Sequence, residues 1–311
     1  MITAAVLHSV SYAGFWGQES LPLEAVIDKA AELGFDGLEI MAKRPHFSVL
    51  DYGPAERARL RAQLDQRRLR CACLAGYTNF TADLEHADIP HREFQIRHVE
   101  ELAAAARDLG CDLVRVFTGY DTPAAPHGRQ WSLVVESLRE CARRAAPFGV
   151  TVGVQNHHDV ACGFESMRDL IRAVNEPNCR AMFDAWAPAL HGDDLRRAAR
   201  TMAAVSVYTT IADYQLRPRY RYDAAAVNFE RATAATLAVP LGEGFIDYDA
   251  FLTELCASGF DGPVAYEMCS PLRDGGGSDV LDRYARTFLE FMERFRGTRT
   301  EAVTSRSSGR P

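Results

Sequence analysis

Short apolar segments recur along this chain of 311 residues, and helical patterns lie between most of them. Eight such segments begin near Ala4, Gly37, Arg70, Asp112, Val150, Arg180, Val205 and Val264. Their spacing of roughly 25 to 60 residues is the scale of a βα unit. Nearly continuous apolar runs are typical of parallel strands, because helices cover both faces of a parallel sheet. The pattern therefore predicts an α/β fold with a single domain, a (β/α)8 TIM barrel.

A phrase repeated near both ends of the chain supports this prediction. Residues 34–37, Gly-Phe-Asp-Gly, recur at 259–262, and each copy follows a helical pattern and leads into a strand. Internal repetition indicates repeated structural units. An open doubly wound sheet is the alternative, although no GxGxxG turn follows the first strand. We predict that the barrel spans residues 1–296 and that 297–311, which have few apolar anchors, form a disordered tail.

The composition narrows the classes of function. Hydrophobic residues make up 47% of the chain and charged residues 25%, as in folded globular proteins. The net charge of −7 repels polyanions, so nucleic acid is not an expected partner. No apolar stretch approaches the ~20 residues of a membrane helix, and the first strand lacks a basic leader, so no membrane association is expected. Eight cysteines without a CxxC pair indicate reduced thiols, and we expect a cytoplasmic protein.

Polar side chains are concentrated at the C-terminal ends of the predicted strands, where a barrel places its active site. They include His8, Glu39, Asn79, Gln155, His157, His158, Asp184, Thr210 and Glu267. A carboxylate at the end of an apolar strand is costly to bury unless it is paired, hydrogen-bonded or bound to a cation. Together with the Gln-Asn-His-His run at 155–158, Asp184 and Glu267 predict a shared divalent metal, with separate loop or ion-pair positions as the alternative.

At this point the sequence resembles the xylose-isomerase-like TIM barrels, a group of sugar phosphate isomerases and epimerases that also includes inosose and dehydroshikimate dehydratases. The resemblance covers roughly Met1 to Phe295. It is carried by GFDGLEI at 34–40, VGVQNH at 152–157, MFD at 182–184, GEGFIDY at 242–248 and AYEMCSP at 265–271. The resemblance implies a barrel enzyme that acts on a small sugar, polyol or keto-cyclitol.

In that family a Glu, an Asp, a His and a Glu at the ends of strands five to eight hold one metal. The resemblance assigns these positions to Gln155, Asp184, Thr210 and Glu267. An amide in place of a carboxylate and a hydroxyl in place of an imidazole weaken the expected site. We expect Mn²⁺, Co²⁺, Mg²⁺ or Zn²⁺, without a choice among them. The DNA-repair chemistry of the endonuclease IV type is not expected, because Ala187 stands where its metal cluster needs a His.

The resemblance also implies proton abstraction next to a carbonyl through an enediolate. Gln155 cannot accept a proton, which removes one of the family's two bases. We predict a route in which a metal polarises the carbonyl, Glu267 is the catalytic base and His157 assists it. A dehydratase or lyase that begins with the same proton abstraction is the alternative activity. A non-catalytic binding protein or partner subunit with a degraded metal site is the alternative to an enzyme.

Further residues are predicted to bind the substrate, namely His8, Trp16, Glu39, Asn79, His158 and Arg273. Trp16 would form an apolar wall over a sugar ring, with plain loop packing as the alternative. Arg273 precedes a glycine run and a helix N-terminus that would suit an anion, with a flexible loop as the alternative. Residues 214–244 show little periodicity and predict a long loop that serves as a lid or subunit contact. We expect a homo-oligomer.

Overall fold

The computed structural model describes residues 2–157 and 159–307, with side chains up to residue 293. Within these ranges the strands are β1 (Ile2–His8), β2 (Gly37–Met41), β3 (Arg70–Ala75), β4 (Leu113–Val116), β5 (Thr151–Gln155), β6 (Cys179–Met182), β7 (Ser206–Ile211), β8 (Asp213–Asp223), β9 (Asn228–Val239) and β10 (Gly262–Tyr266). All of these strands except β8 and β9 form a closed parallel barrel in chain order, with β10 between β7 and β1. The predicted (β/α)8 barrel is confirmed, and the open doubly wound sheet is wrong.

Helices follow the barrel strands along the chain. In the described ranges they are α1 (Leu23–Leu33), α2 (Pro54–Gln66), α3 (His91–Asp108), α4 (His127–Ala145), α5 (Phe164–Val174), α6 (Trp186–His191), α7 (Leu195–Met202), α8 (Tyr248–Ala257) and α9 (Ser278–Ser307), with short 3₁₀ turns at Ser9–Tyr12, Ala82–Leu84 and Ala146–Phe148. None of the described helices is long and apolar enough to span a bilayer. Helix α9 extends into the predicted disordered tail, 297–311, and residues 308–311 lie outside the described residues, so that prediction stays a prediction.

The helices form where apolar residues recur every three or four positions. In α5 the buried side chains are Phe164, Met167, Leu170, Ile171 and Val174. This spacing places them on one face of the helix, which packs on the barrel. Asn175 then ends α5 in the left-handed conformation, with φ of 53°.

Parallel strands that are covered by helices need apolar side chains on both faces, and the barrel strands meet that requirement. Every residue of β2 and β4 is buried. Gly37 begins β2 where a Cβ would lie 2.5 Å from the backbone oxygen of Arg70, so only glycine allows β2 and β3 to approach there. The polar residues at the strand ends are thereby held on a rigid frame.

The prediction of a long irregular loop over 214–244 is wrong, because β8 and β9 form an antiparallel hairpin there. Most residues of 215–234, which we call the arm, are exposed. An alternation of Arg and Tyr at 219–222 is a strand pattern with period two. It was missed because both faces of the arm are exposed, so no apolar face marks the strand, and because Pro218 is unusual in a strand.

Candidate active site

A small cavity lies at the C-terminal ends of β5, β6, β7 and β10. Gln155, His157, Asp184, Thr210 and Glu267 all line it, although they are far apart in the sequence. These are the residues predicted as metal ligands or catalytic groups, and the barrel closure brings them together. Their contacts decide what the site can do.

Asp184, which follows β6, is the centre of one hydrogen-bond network. Gln155 Nε2 donates to Asp184 Oδ2 at 2.9 Å and also to Thr210 Oγ1 at 3.0 Å, and the Thr210 hydroxyl lies 3.4 Å from Oδ2. The backbone N–H of Trp186 donates to Asp184 Oδ1 at 3.1 Å. Burial raises the pKa of Asp184 to about 7, and the hydrogen bond from Gln155 opposes that rise.

Asn156 fixes the backbone of this network. Its Nδ2 donates to the carbonyl oxygen of Asp184 at 3.1 Å, and its Oδ1 accepts the backbone N–H of Asp184 at 2.9 Å. This reciprocal pair joins the ends of β5 and β6 and satisfies polar groups that are buried there. The sequence analysis did not assign Asn156 a role.

A second network surrounds Arg115, an arginine in the middle of β4 whose side chain is only 1% exposed. Its Nη1 lies 3.2 Å from Glu39 Oε1, 3.3 Å from His8 Nε2 and 3.6 Å from Glu267 Oε1. Glu39 is fully buried, whereas the Glu267 side chain is 12% exposed. Arg115 therefore supplies the positive charge that two carboxylates at the barrel mouth share.

The side chains around Arg115 define its surroundings further. Its guanidinium carbon lies 4.9 Å from the ring centre of Tyr77 and 4.7 Å from that of Phe117. Burial and the charge of Arg115 lower the pKa of His8 well below its usual value, so its imidazole is neutral near pH 7. His8 Nδ1 contacts the backbone oxygen of Glu39 at 3.1 Å. A proton on Nδ1 leaves Nε2 free to accept from Arg115.

His157 forms another wall of the cavity. Its ring centre lies 4.7 Å from that of Phe117 and 6.3 Å from that of Trp186. Burial lowers the pKa of His157, although the carboxylate of Glu267 raises it. A neutral imidazole can donate a hydrogen bond to an oxygen that gains negative charge.

Aromatic side chains that the sequence analysis missed complete the cavity. Trp186 stacks on Tyr214 with ring centres 4.4 Å apart. The hydroxyl of Tyr214 lies 2.8 Å from Cys269 Sγ. The cavity is small and has room for about one water molecule within its walls.

Besides His8 and Glu39, which contact Arg115, three of the predicted substrate-binding residues are not in the lining of this cavity. Trp16 packs partly buried against the core, with its ring edge toward Phe15. Asn79 Oδ1 accepts the Thr81 hydroxyl at 2.7 Å and organises its own loop. The third is Arg273. His158, also predicted to bind substrate, lies outside the described residues.

Arg273 takes part in surface ion pairs. Its guanidinium lies 2.7 Å from Glu243 and 3.0 Å from Asp274. The neighbouring Gly276 accepts the backbone N–H of Glu19 at 2.7 Å and would bring a Cβ to 2.1 Å from the backbone oxygen of Gly17. These glycines serve loop packing, and no built anion site surrounds Arg273 within the described residues.

The predicted metal ligands do not fit a divalent ion as they are arranged. Both oxygens of Asp184 accept hydrogen bonds, and Gln155 presents its NH₂ group to Asp184. Glu267 is shared with Arg115. Across the described residues no three His, Cys, Asp or Glu side chains are grouped so that they could hold a metal ion. The donor set lacks the carboxylate and the imidazole that the family resemblance assigns to the strand-five and strand-seven positions, where Gln155 and Thr210 stand.

Arg115 is the main functional residue that sequence reasoning missed. Its signal was present as a charged residue inside the apolar strand Leu113-Val114-Arg115-Val116. A buried charge implies a buried partner of opposite charge, and Glu39 and Glu267 were already candidates. Trp186 and Cys269 each lie two residues after a candidate carboxylate, which is the corresponding signal for them.

These observations define a TIM barrel with a polar site built from the C-terminal ends of its strands. The chain belongs to the family of xylose isomerase-like TIM barrels, which matches residues 27–290. The resemblance inferred from the motifs is thereby confirmed.

The chain is similar to enzymes of two kinds. It is 25% identical to fructoselysine 3-epimerase of Escherichia coli O157:H7 over 190 residues, which cover 57% of this chain and 66% of that protein, just under two thirds. It is also 25% identical to inosose dehydratase of Erwinia tasmaniensis over 275 residues, 81% of this chain and 86% of that protein. The relatives are sugar epimerases and dehydratases, which supports an enzyme.

A solved structure with the same fold is D-psicose 3-epimerase with D-tagatose from Clostridium cellulolyticum H10. The TM-score is 0.72 at 18% identity, with 94% of this chain and 99% of that chain covered. At this identity the likeness shows the fold alone.

Proposed function

We propose that the chain is an isomerase or epimerase that moves a proton next to the carbonyl of a small sugar or keto-cyclitol. The observation that carries this proposal is the placement of Glu267. Its carboxylate lines the cavity, and Arg115 Nη1 lies 3.6 Å from Glu267 Oε1. A carboxylate held in this way at an enclosed site suits a general base.

The residues around Glu267 fit the remaining parts of such a reaction. As Glu267 takes the proton from carbon, the electron pair of the C–H bond forms the enediolate double bond and the carbonyl oxygen gains negative charge. His157 also lines the cavity, and because burial lowers its pKa it is neutral and able to donate a hydrogen bond to that oxygen. If Glu267 returns the proton to the neighbouring enediolate carbon, and that carbon's partner hydroxyl loses its proton to become the carbonyl, the product is the isomer. If His157 protonates the opposite face of the same carbon and regains its proton from Glu267 or solvent, the product is the epimer.

The cavity also suits a polyhydroxylated substrate. Gln155 Oε1 is buried and has no hydrogen-bond partner among the described residues. A buried acceptor of this kind is destabilising until a donor reaches it, and a substrate hydroxyl is such a donor. The stacked rings of Trp186 and Tyr214 provide an apolar wall for the carbon skeleton.

A dehydratase is the second candidate. The match to inosose dehydratase extends over 86% of that protein, more than the match to the epimerase. Both reactions begin with removal of the same kind of proton, so the residues that we assign to the first step serve either one. They differ in whether the enediolate takes back a proton or loses a hydroxyl group as water.

The test is proton NMR in deuterated buffer over a panel of ketoses and keto-cyclitols. An epimerase exchanges solvent deuterium into the substrate and forms a stereoisomer, whereas a dehydratase forms an unsaturated product. Glu267→Gln should reduce the rate by about 10² to 10⁴-fold, as loss of a general base does. Glu243→Gln, on the surface and paired with Arg273, is the matched control. Full activity of Glu267→Gln would contradict the assignment, and no reaction with any substrate would favour a binding protein.

We also propose that copies of the chain associate through the arm. An isolated two-stranded hairpin is marginally stable in water, and its edges are open to pairing. Tyr220 and Phe229 are 64% and 65% exposed there. Arg219 and Arg221 alternate with the tyrosines and complement a chain of net charge −7. The acidic surface of a second copy is the occupant that this charge favours.

The cysteines support a cytoplasmic location, which we propose for the protein. All eight lie within the described part of the chain, and none of them forms a disulfide there. Burial raises the pKa of several of them, including Cys73 and Cys141, so the thiols stay protonated. Unpaired thiols in a long chain are typical of a reducing compartment.

A further inference from the structure

We propose that this active site balances its carboxylates without a bound divalent cation, and that Arg115 is the cation it uses instead. The inference deepens the proposed function, on which it rests for placing the reaction at Glu267. It departs from the metal dependence that the family resemblance implies. The side chains at the four expected ligand positions, Gln155, Asp184, Thr210 and Glu267, already form hydrogen bonds or ion pairs within the chain.

The first step concerns charge. Glu39 is fully buried and Glu267 is 12% exposed, so neither carboxylate is balanced by solvent. Arg115 Nη1 lies 3.2 Å from Glu39 and 3.6 Å from Glu267, and the guanidinium is itself buried. An arginine stays charged at every pH at which a protein is folded. The counter-charge is therefore part of the chain and does not exchange with solvent.

The second step concerns Asp184, the carboxylate nearest the amide. Its Oδ2 faces the Gln155 NH₂ group at 2.9 Å and the Thr210 hydroxyl at 3.4 Å, and its Oδ1 accepts the backbone N–H of Trp186 at 3.1 Å. The hydrogen bonds from these donors favour the charged carboxylate and oppose the rise in the pKa of Asp184 that burial causes. Asp184 is therefore satisfied by donors of the protein.

The third step concerns Gln155. To offer its oxygen to a cation beside Asp184, the amide has to turn over, which breaks the hydrogen bonds of 2.9 Å and 3.0 Å. The amide oxygen then lies against Asp184 Oδ2, with two acceptors facing each other. Buried groups that lose their hydrogen-bond partners destabilise the folded state. With Thr210 in place of an imidazole, little ligand strength offsets this loss.

The test compares the wild-type chain with a variant in which both missing ligands are restored, Gln155→Glu with Thr210→His. Each protein is purified, dialysed against EDTA and then against Mn²⁺, and bound metal is measured by elemental analysis and by electron paramagnetic resonance. We expect no stoichiometric Mn²⁺ in the wild type and near-stoichiometric Mn²⁺ in the variant, at least about 100-fold tighter. Circular dichroism confirms that both are folded.

Two results overturn the proposal. One is near-stoichiometric Mn²⁺, Co²⁺, Mg²⁺ or Zn²⁺ in the wild type that is lost on Asp184→Asn. The other is a folded double variant that binds no Mn²⁺. In that case Gln155 and Thr210 are not the residues that prevent metal binding in the wild type.

Deuterium exchange into substrate, measured with and without EDTA, separates this proposal from the proposed function. Exchange that persists in EDTA supports both. Exchange that requires added metal overturns the present proposal and leaves the isomerase or epimerase standing. If no sugar exchanges, the proposed function fails, and the Mn²⁺ measurement still decides whether the site binds a divalent ion.

Discussion

Replacing Arg115 with methionine is the most direct test of the buried charge network. The substitution keeps most of the buried alkyl volume but leaves Glu39, which is fully buried, without its cation. Breaking a buried ion pair by removing one partner costs about 3–5 kcal/mol. His8 also loses a hydrogen bond of 3.3 Å, worth about 1 kcal/mol. We expect Arg115→Met to lower the free energy of unfolding by about 4 kcal/mol, most of it from the unpaired carboxylate.

A double-mutant cycle separates the ion pair from general packing. Glu39→Gln removes the second charge, so the double variant Arg115→Met with Glu39→Gln should recover at least about 2 kcal/mol relative to the sum of the single changes. Burial raises the pKa of Glu39 to about 8, so each variant is measured by urea unfolding at pH 9, where this carboxyl group is charged, with circular dichroism and tryptophan fluorescence as probes. Arg139→Met is the matched control, because the Arg139 guanidinium donates only to backbone oxygens of Ala173 and Val174.

The reasoning is refuted if Arg115→Met costs less than about 1 kcal/mol, the range of an exposed pair. It is equally refuted if the cycle shows no coupling between Arg115 and Glu39. Arg115→Lys keeps a charge and provides a folded reference if the methionine variant is too unstable to purify. The lysine should be intermediate in stability, because an ammonium cannot reproduce the fixed fork of a guanidinium.

The remaining predictions concern a buried histidine and the arm. His46 is buried between the Ser9 hydroxyl and a backbone oxygen, each at 3.0 Å, and burial lowers its pKa. The unfolded chain, in which the histidine pKa is about 6.5, therefore binds more protons than the folded chain at acidic pH, and the wild type should lose up to about 1.4 kcal/mol of unfolding free energy per pH unit on acidification. His46→Gln should lack this contribution when urea unfolding is measured at pH 7 and pH 5.5. An equal pH dependence of stability in the two proteins would contradict a neutral His46. The double variant Tyr220→Ser with Phe229→Ser should convert an oligomer to a monomer, as measured by light scattering. Leu50→Ser, a control on another exposed surface, should leave the oligomer intact. A monomeric wild type would refute association through the arm.

Much of the fold could be predicted because its strands are unusually informative. The barrel strands are mostly apolar, because helices cover their outer faces and their inner faces form the packed barrel interior, and the repeated phrase at 34–37 and 259–262 marked the junctions of two βα units. The arm could not be predicted in the same way. Within the arm the two strands pair with each other and both faces are largely exposed. Residues 215–234 therefore lack the alternation of apolar and polar residues that marks a half-buried strand.

The site was predicted in its positions but not in its bonding. The rule that barrel strands end at the active site brought Gln155, Asp184 and Glu267 to one cavity. It could not reveal that Gln155 turns its NH₂ group toward Asp184, since the direction of an amide depends on its neighbours. It also gave no reason to look at Arg115, which lies inside a strand and reaches Glu39 across the barrel interior.

The amide of Gln155 and the guanidinium of Arg115 both reduce the repulsion between carboxylates at the site. A glutamate at position 155 would add a carboxylate at about the 2.9 Å that now separates Gln155 Nε2 from Asp184 Oδ2, and a divalent cation would be needed between them. The amide replaces that repulsion with a hydrogen bond, while Arg115 balances Glu39 and Glu267. Gln155 and Arg115 are consistent with each other, because an arginine carries one charge and is fixed to β4, whereas a divalent ion carries two and can be shared by every ligand. Restoring the ligands without a metal should therefore weaken the fold, and adding the metal should recover it.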